Sequence, residues 1–390
     1  MSFCGFFAGA FVLGSCGSDE SSEVSDESVS VVETVVSEGD WLMARGGGGL
    51  SGQVGEVLPS KPVVRWTFKS VGAMVSEVVV FGDRVAVGDT GGVLSVLNLE
   101  SGELVWKRTF EAGIEAAPAV VGDLILVGCD DGVLYALEVE SGEVRWQVET
   151  DDKISAGVNV AYDVEGIEGG VLVILNGYDG VCRALQATDG TEVWSFVSEG
   201  PINGTPAVVD GSWVVFGGCD QFLYCLDLKS GERVRMIEGE APIVSTVGTI
   251  GSFVAWGDHA NRVVGGDAVS GEVLWVYRDR NFPFMGAPAV DDLRVYIGGR
   301  DKKIHAIDRA TGELVWKFRT GSRVESSPIL FEDGLVCGSS DGRLYALGLE
   351  KGEERWLLDL GESLVAAPVF ARGVFLIGSE AGTLFALGAE

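Results

Sequence analysis

The chain has 390 residues, 46% hydrophobic and 22% charged, so it can bury a large core and is too apolar for an intrinsically disordered protein. Its formal net charge is −30, from 28 basic and 58 acidic residues, which disfavours nucleic acid as a partner because phosphate binding needs a basic surface. The 57 glycines and 10 prolines suggest many short strands joined by tight turns, and with only His259 and His305 any imidazole chemistry starts from a small pool.

Residues 6–14, FFAGAFVLG, form an apolar run of signal-peptide length, short of a membrane span. The following LGSC, Leu13 to Cys16, resembles the lipobox of bacterial lipoproteins, which implies cleavage before Cys16 and its acylation as a membrane anchor. Residues 1–5 depart from that pattern in carrying no Lys or Arg, which keeps a plain secretory signal or an uncleaved hydrophobic tail as alternatives. Residues 17–40 hold eight acidic side chains and no basic one, and with their serines they read as a solvated tether. Within them SVSVVETVV, 28–36, could form a short strand, but nothing nearby would pair it. Trp41, Leu42 and Met43 then change the character of the chain and are apolar enough to dock on a folded domain. The expected organisation is a signal peptide with lipobox over 1–16, an acidic flexible tether and lead-in over 17–60, and one repeat domain over 61–390.

The repeat is marked by a phrase such as SGELVWKRTF at 101–110, which returns as SGEVRWQVET at 141–150 and TGELVWKFRT at 311–320. Its markers are Trp66, Trp106, Trp146, Trp194, Arg235 (a substitution in register), Trp275, Trp316 and Trp356, at intervals of 40, 40, 48, 41, 40, 41 and 40 residues. Each unit reads as four strands separated by turn signals, with Asp-Gly pairs as two-residue hairpins. Eight such units make an all-β chain, an eight-bladed β-propeller of four-stranded antiparallel blades. The chain ends after a third strand, GTLFALGAE, and VVRWTF at 63–68 is a fourth strand with no preceding three, so the N-terminal strand should complete the last blade and close the ring. Repeat three carries about eight extra residues around 162–170, between its first two strands.

Ala136/Gly142/Trp146, Ala184/Gly190/Trp194, Ala306/Gly312/Trp316 and Ala346/Gly352/Trp356 share the spacing A-x5-G-x3-W. This resembles the tryptophan-docking motif of the PQQ-like, quinoprotein-type propeller repeats. The resemblance implies that each indole stacks between a small residue and a glycine turn of neighbouring repeats, where only a bare peptide lets a flat ring lie close. Trp66, Trp106, Trp146, Trp194, Trp275, Trp316 and Trp356 are therefore expected as structural clamps. Repeat four departs with Cys225 and Arg235, repeat five with Gly265 and repeat one with Val96, so the seam around blades four and five should be the least tightly clamped.

PQQ-dependent alcohol dehydrogenases have similar blades and add a Ca²⁺ site, a catalytic Asp and often an adjacent Cys-Cys pair. No Cys-Cys pair and no long insertion of that kind occur here, so PQQ and Ca²⁺ are not expected and no catalytic, cofactor or metal residue is assigned. In the loops that lead into each blade, Glu115, Asn203 and Glu325 could be ligands for a hard cation, but they are spread over blades two, four and seven. His259 falls beside a hairpin turn and His305 takes the third-strand place of Tyr135, Tyr224 and Tyr345, so both read as structural. With Asp220-Gln221 as a two-residue turn, Cys219 and Cys225 fall on opposite faces of the sheet, and free thiols are expected.

Length, lipobox and blade count also resemble the propeller lipoprotein of the outer-membrane β-barrel assembly machinery. That family implies a non-enzymatic periplasmic scaffold, anchored by lipid, with the barrel-assembly complex and unfolded barrel precursors as protein partners. The periplasmic face of the outer membrane is the expected location, with the inner membrane or cell surface as alternatives. DW…RGGGG…G, from Asp40, equally resembles the lead-in of PQQ-like repeat proteins with other roles. A surface propeller binding a ligand or polymer, and a PQQ-dependent oxidoreductase, are the rival readings. FPFM, 282–285, is the most apolar inter-blade loop; Phe284 aligns with core positions, which leaves Phe282 and Met285 as candidate partner contacts.

Overall fold

The computed structural model describes residues 39–279 and 282–389. They form eight four-stranded antiparallel sheets, the blades of a closed propeller. Blade one is β2–β5 (Val79–Phe81, Arg84–Gly88, Val93–Asn98, Leu104–Thr109), and blades two to seven repeat that order between Ala119 and Asp359. Blade eight takes its first three strands, β30–β32 (Val369–Ala371, Val374–Gly378, Thr383–Gly388), from the C-terminus and its fourth, β1 (Val63–Lys69), from the N-terminus. Val63 pairs with Gly388 and Lys69 with Thr383, so the ring closes as the sequence implies.

Within each blade the first three strands are buried and the fourth is the solvent-facing rim; in blade one Val79–Phe81 are wholly buried, whereas Leu104–Thr109 are exposed or half-buried throughout. The first strands lie side by side around the axis. The seven docking tryptophans occupy the seams between blades. Trp66, Trp106, Trp146, Trp194, Trp275 and Trp316 lie over Gly102, Gly142, Gly190, Gly231, Gly312 and Gly352 of the next blade, all at φ between +68° and +75°. A Cβ on any of these glycines would come within 2.8 Å of the indole, so the contact demands glycine for its bareness as much as for its φ. Each indole N–H also donates to the carbonyl three residues before that glycine, for example Trp106 to Val139 at 2.9 Å and Trp316 to Leu349 at 2.7 Å. Trp356 makes the matching bond at the seam into blade eight, donating to the Pro59 carbonyl of the lead-in at 3.0 Å, although Pro62 stands there in place of the receiving glycine.

The structure adds a device that the repeat pattern hides. In every blade the register between third and fourth strands shifts by one residue just before the docking position, as between Ala136↔Trp146 and Leu137↔Val144. A bulge re-aims the side chain that follows it, here toward the next blade. It is kept at Arg235, where Cys225 pairs with Arg235 and Leu226 with Arg233.

One detail of the turns differs from expectation. The hairpins between second and third strands have three residues, not two. At blade seven Ser339 N–H bonds Arg343 O and Gly342 N–H bonds Ser339 O, leaving Ser340, Asp341 and Gly342 as the loop. Glycine at the third place has φ +84°, the left-handed position of a type I turn with a following bulge. The register at Cys225 therefore moves by one: Cys225 faces Val215, and Phe216 faces Tyr224. Cys219 lies in the turn itself, half-buried, and both thiols are free.

Candidate functional site

The described part of the lead-in does not hang from the ring; it makes a belt inside it. Asp40 is held by Arg372 of blade eight at 2.9 Å. Trp41 exchanges two backbone hydrogen bonds with Val80 of blade one, and Leu42 O accepts from Val120 of blade two. Gly48 O accepts from Asn159 Nδ2 of blade three and Val208 N–H of blade four. Gly49 O then accepts from Thr249 of blade five, Ser51 O from Val290 of blade six and Gly52 O from Leu330 of blade seven. The chain touches the innermost strands of seven blades in order and then enters blade eight as β1. Trp41, Leu42, Met43, Ala44 and Leu50 are buried in this course.

The glycines of RGGGG make the path sterically open. Gly46, at φ +78°, packs against the Trp41 ring, and Gly48 against Val208. Gly52, at φ +71°, leaves room for the Arg45 guanidinium, whose Nη2 donates to Pro328 O at 2.6 Å across the channel. Arg45 is only 2% exposed, has φ +58°, donates its backbone N–H to Glu77 Oε2 at 2.6 Å, and places Nη1 4.0 Å from Glu77 Oε1. Burial pushes the Arg45 guanidinium down and the Glu77 carboxyl up, and each charge opposes the shift of the other.

Above this floor lies a cavity of about 230 Å³, lined by the inter-blade loops of all eight blades. It brings Glu115, Asn203, Glu325 and Met285 to one funnel, so sequence spacing over three blades did not keep the three candidate ligands apart. Their partners are already chosen, however. Glu115 pairs with Lys153 at 3.4 Å, and Glu325 with Arg300 at 2.5 Å and Arg323 at 3.1 Å. Asn203 donates to Cys219 Sγ at 3.2 Å. The hydroxyls of Thr205, Thr246 and Ser327 each accept a backbone N–H from the preceding blade's loop, which stitches the funnel wall together.

Phe282 is 47% exposed, Met285 half-buried in the funnel wall and Phe284 buried in the core. Cys16 lies outside the described residues, as does the 28–36 segment. His259 is exposed as the first residue of its three-residue hairpin loop. His305 is buried, with Nδ1 3.0 Å from Tyr277 Oη and Nε2 3.2 Å from Asp301 Oδ1. It repeats a theme: Asp131–Tyr135, Asp220–Tyr224 and Asp341–Tyr345 make the same bond from hairpin to third strand. Asp279, Asp301 and His305 are close enough to share a cation, but the Lys303 ammonium already sits 3.0 Å from Asp279 and 2.8 Å from Asp301. Burial alone would raise the Asp301 carboxyl; hydrogen bonds and charges from His305 and Lys303 outweigh it and bring it down to about 2.

Trp41, Leu42 and Met43 dock as their apolar character implies, but the course of the belt through the ring and its Arg45–Glu77 pair were not anticipated from the sequence. The signal was present in the buried-type residues Trp41–Met43 beside four consecutive glycines, a combination that suits a chain threading a narrow interior.

No helix among the described residues is long and apolar enough to cross a membrane. Comparison with solved structures gives BamB from Moraxella catarrhalis, with TM-score 0.69 and 17% identity over 84% of this chain and 100% of that one. Quinohemoprotein alcohol dehydrogenase from Comamonas testosteroni gives TM-score 0.76 and 13% identity, over 90% of this chain and 81% of that one. At such identities these likenesses speak for the fold alone. Among curated proteins, quinoprotein ethanol dehydrogenase of Pseudomonas putida is 35% identical over 75 residues, 19% of this chain, which spans only 12% of the relative's length. The family model described as outer membrane protein assembly factor BamB matches residues 51–178, 178–285 and 259–390. Matched from the belt's end to the C-terminus, the chain belongs to that family of PQQ-like repeat propellers.

Proposed function

We propose that the chain is a non-enzymatic, protein-binding scaffold of the cell envelope, held by a lipid on Cys16 at the periplasmic face of the outer membrane and serving the assembly of outer-membrane β-barrel proteins. Its partners in this reading are the barrel-assembly complex and unfolded barrel precursors. The family supports the assembly role. The observation that carries the non-enzymatic part is the funnel. Its floor is the chain's own belt with Arg45 across the axis, and its wall carboxylates Glu115 and Glu325 are each neutralised by basic neighbours. A multiply carboxylated quinone with a hard cation needs free oxygen ligands there, and this donor set does not fit the pair. Loops and exposed rim strands suit binding to extended chains.

In-cell photocrosslinking from Phe282, with identification of the captured proteins, tests the partner class. Recovery of barrel-assembly components is expected; recovery of none of them, with efficient capture of other envelope proteins, overturns the assembly role. The quinoprotein reading draws on the 75-residue likeness to ethanol dehydrogenase. Purified protein given PQQ and Ca²⁺ should reduce no dye with alcohols, and saturable reduction lost on chelation would establish the oxidoreductase instead.

A further inference from the structure

The seam between blades four and five departs from all the others in a way that defines a ligand. Arg235 stands in the docking place, still aimed by the bulge before it. The receiving glycine, Gly271, keeps φ +80°, but the nearest side-chain atom to a Cβ there is Arg235 Cδ at 3.5 Å, against ring atoms at 2.5–2.8 Å over the six indole-covered glycines. Only the aliphatic stem of Arg235 covers it; the guanidinium turns back to its own strand, Nη1 donating to Val234 O at 2.7 Å, and the residue is exposed. The carbonyl three residues before Gly271 belongs to Ala268, and no indole is there to bond it, whereas Leu99, Val139, Ala187, Leu228, Arg309 and Leu349 each receive one in the matching place. Beneath lies Cys225, buried, in the position of the small residue.

We infer that this seam is an acceptor slot for an aromatic side chain, a tryptophan above all, carried by an extended segment of a partner protein. The chemistry of the occupant is read from the molecule itself, since six seams of the same build hold an indole over a glycine turn. An inserted ring would displace the Arg235 stem, cover the bare Gly271 peptide and offer its N–H to Ala268 O. The neighbouring rim strand, β21 (Glu272–Tyr277), leaves Val273, Leu274 and Val276 exposed, more large apolar side chains than any other rim strand exposes among the described residues. Rim strands are sheet edges with unpaired backbone groups, so an extended chain can lie along them while one side chain enters the slot. The net charge of −30 favours a segment with basic flanks. The inference rests on the protein-binding reading but not on barrel assembly, and its failure would leave the crosslinking result untouched.

The probe is a synthetic peptide of residues 313–320 of this chain, ELVWKFRT, a basic rim strand that naturally carries a docking indole, titrated calorimetrically into the full chain. The wild type should bind it saturably, at least tenfold more tightly than the same peptide with Trp316→Ala. Arg235→Ala in the protein should tighten binding several-fold, and Arg235→Trp, which fills the slot from within, should weaken it tenfold or more. Arg235→Phe serves the same purpose should the larger ring disturb folding, as circular dichroism would reveal. Equal binding of the two peptides, undiminished binding by the filled variant, or no binding at millimolar peptide would each overturn the inference.

Discussion

The seam between blades six and seven and the seam between blades four and five have the same backbone and different contents. In the first, Trp316 lies over Gly352, donates to Leu349 O and is 8% exposed. In the second, Arg235 sits exposed over Gly271 with the same bulge behind it and the same left-handed turn before it. The difference teaches that blade geometry does not need the clamp at every seam. The bulge and the glycine turn persist without the indole, so they belong to the backbone plan, and the tryptophan supplies adhesion between units that cannot bury their own faces.

The largest effect expected from this contrast is at Trp316. Trp316→Ala removes a buried aromatic and should cost about 3–5 kcal/mol in denaturant unfolding; a loss under about 1 kcal/mol would show that the clamp adds little. The receiving glycines separate the two seams next. Gly352→Ala must both adopt a disfavoured φ, at about 1–2 kcal/mol, and push an indole aside, at about 1–3 kcal/mol more. Gly271→Ala should bear only the first cost, because its Cβ would meet Arg235 Cδ no closer than 3.5 Å, an ordinary contact. Equal losses at the two glycines would break the comparison.

The seam between blades five and six sharpens it through charge. Asp279 of blade five holds Lys303 and Lys317 of blade six, and Asp301 is brought down to about 2 by His305 and Lys303. A depressed carboxyl contributes stability that is present above its unfolded value near 4 and lost as pH falls toward 2. Asp301→Asn should therefore flatten the fall in stability between about pH 4 and pH 2, by about 2 kcal/mol at most, in acid titrations followed by circular dichroism. An unchanged acid profile would remove Asp301 from the account. The smallest effect is expected at the irregular seam itself. Arg235→Ala should stay within about 0.5 kcal/mol of wild type, while hydrogen exchange over 225–275 outpaces that over 306–352. Exchange as slow as in the clamped blades would show that something other than the indole holds that seam.

What was legible in the sequence and what was not follow from how each feature is written. The blades, their count and their closure were readable because a tryptophan and a glycine recur in fixed register, and His305 was placed correctly because it stands where tyrosines stand in other repeats. Hairpin length was misread because Asp-Gly serves both two- and three-residue turns, and the choice shows only in the backbone bonds, here Ser339 N–H to Arg343 O and Gly342 N–H to Ser339 O. The belt was only half legible. Trp41 to Met43 announced docking, but a glycine run has no periodicity, and nothing local says that RGGGG lies inside a ring. The funnel gathered Glu115, Asn203 and Glu325 because the inter-blade loops of distant repeats converge on one axis, a fact of closure that no spacing along the chain expresses.

The belt has a consequence for how the ring keeps its size. Between Asp40 and Pro59 the chain makes one circuit, meeting a new blade every few residues and ending where Trp356 waits for the Pro59 carbonyl. Its length is fixed, so it measures the circumference. A ring that gained a blade by duplication of a repeat would outgrow it and leave Trp356 without an acceptor; a ring that lost one would force slack into a tightly bonded interior. In this chain the non-repeating segment is cut to a ring of eight blades.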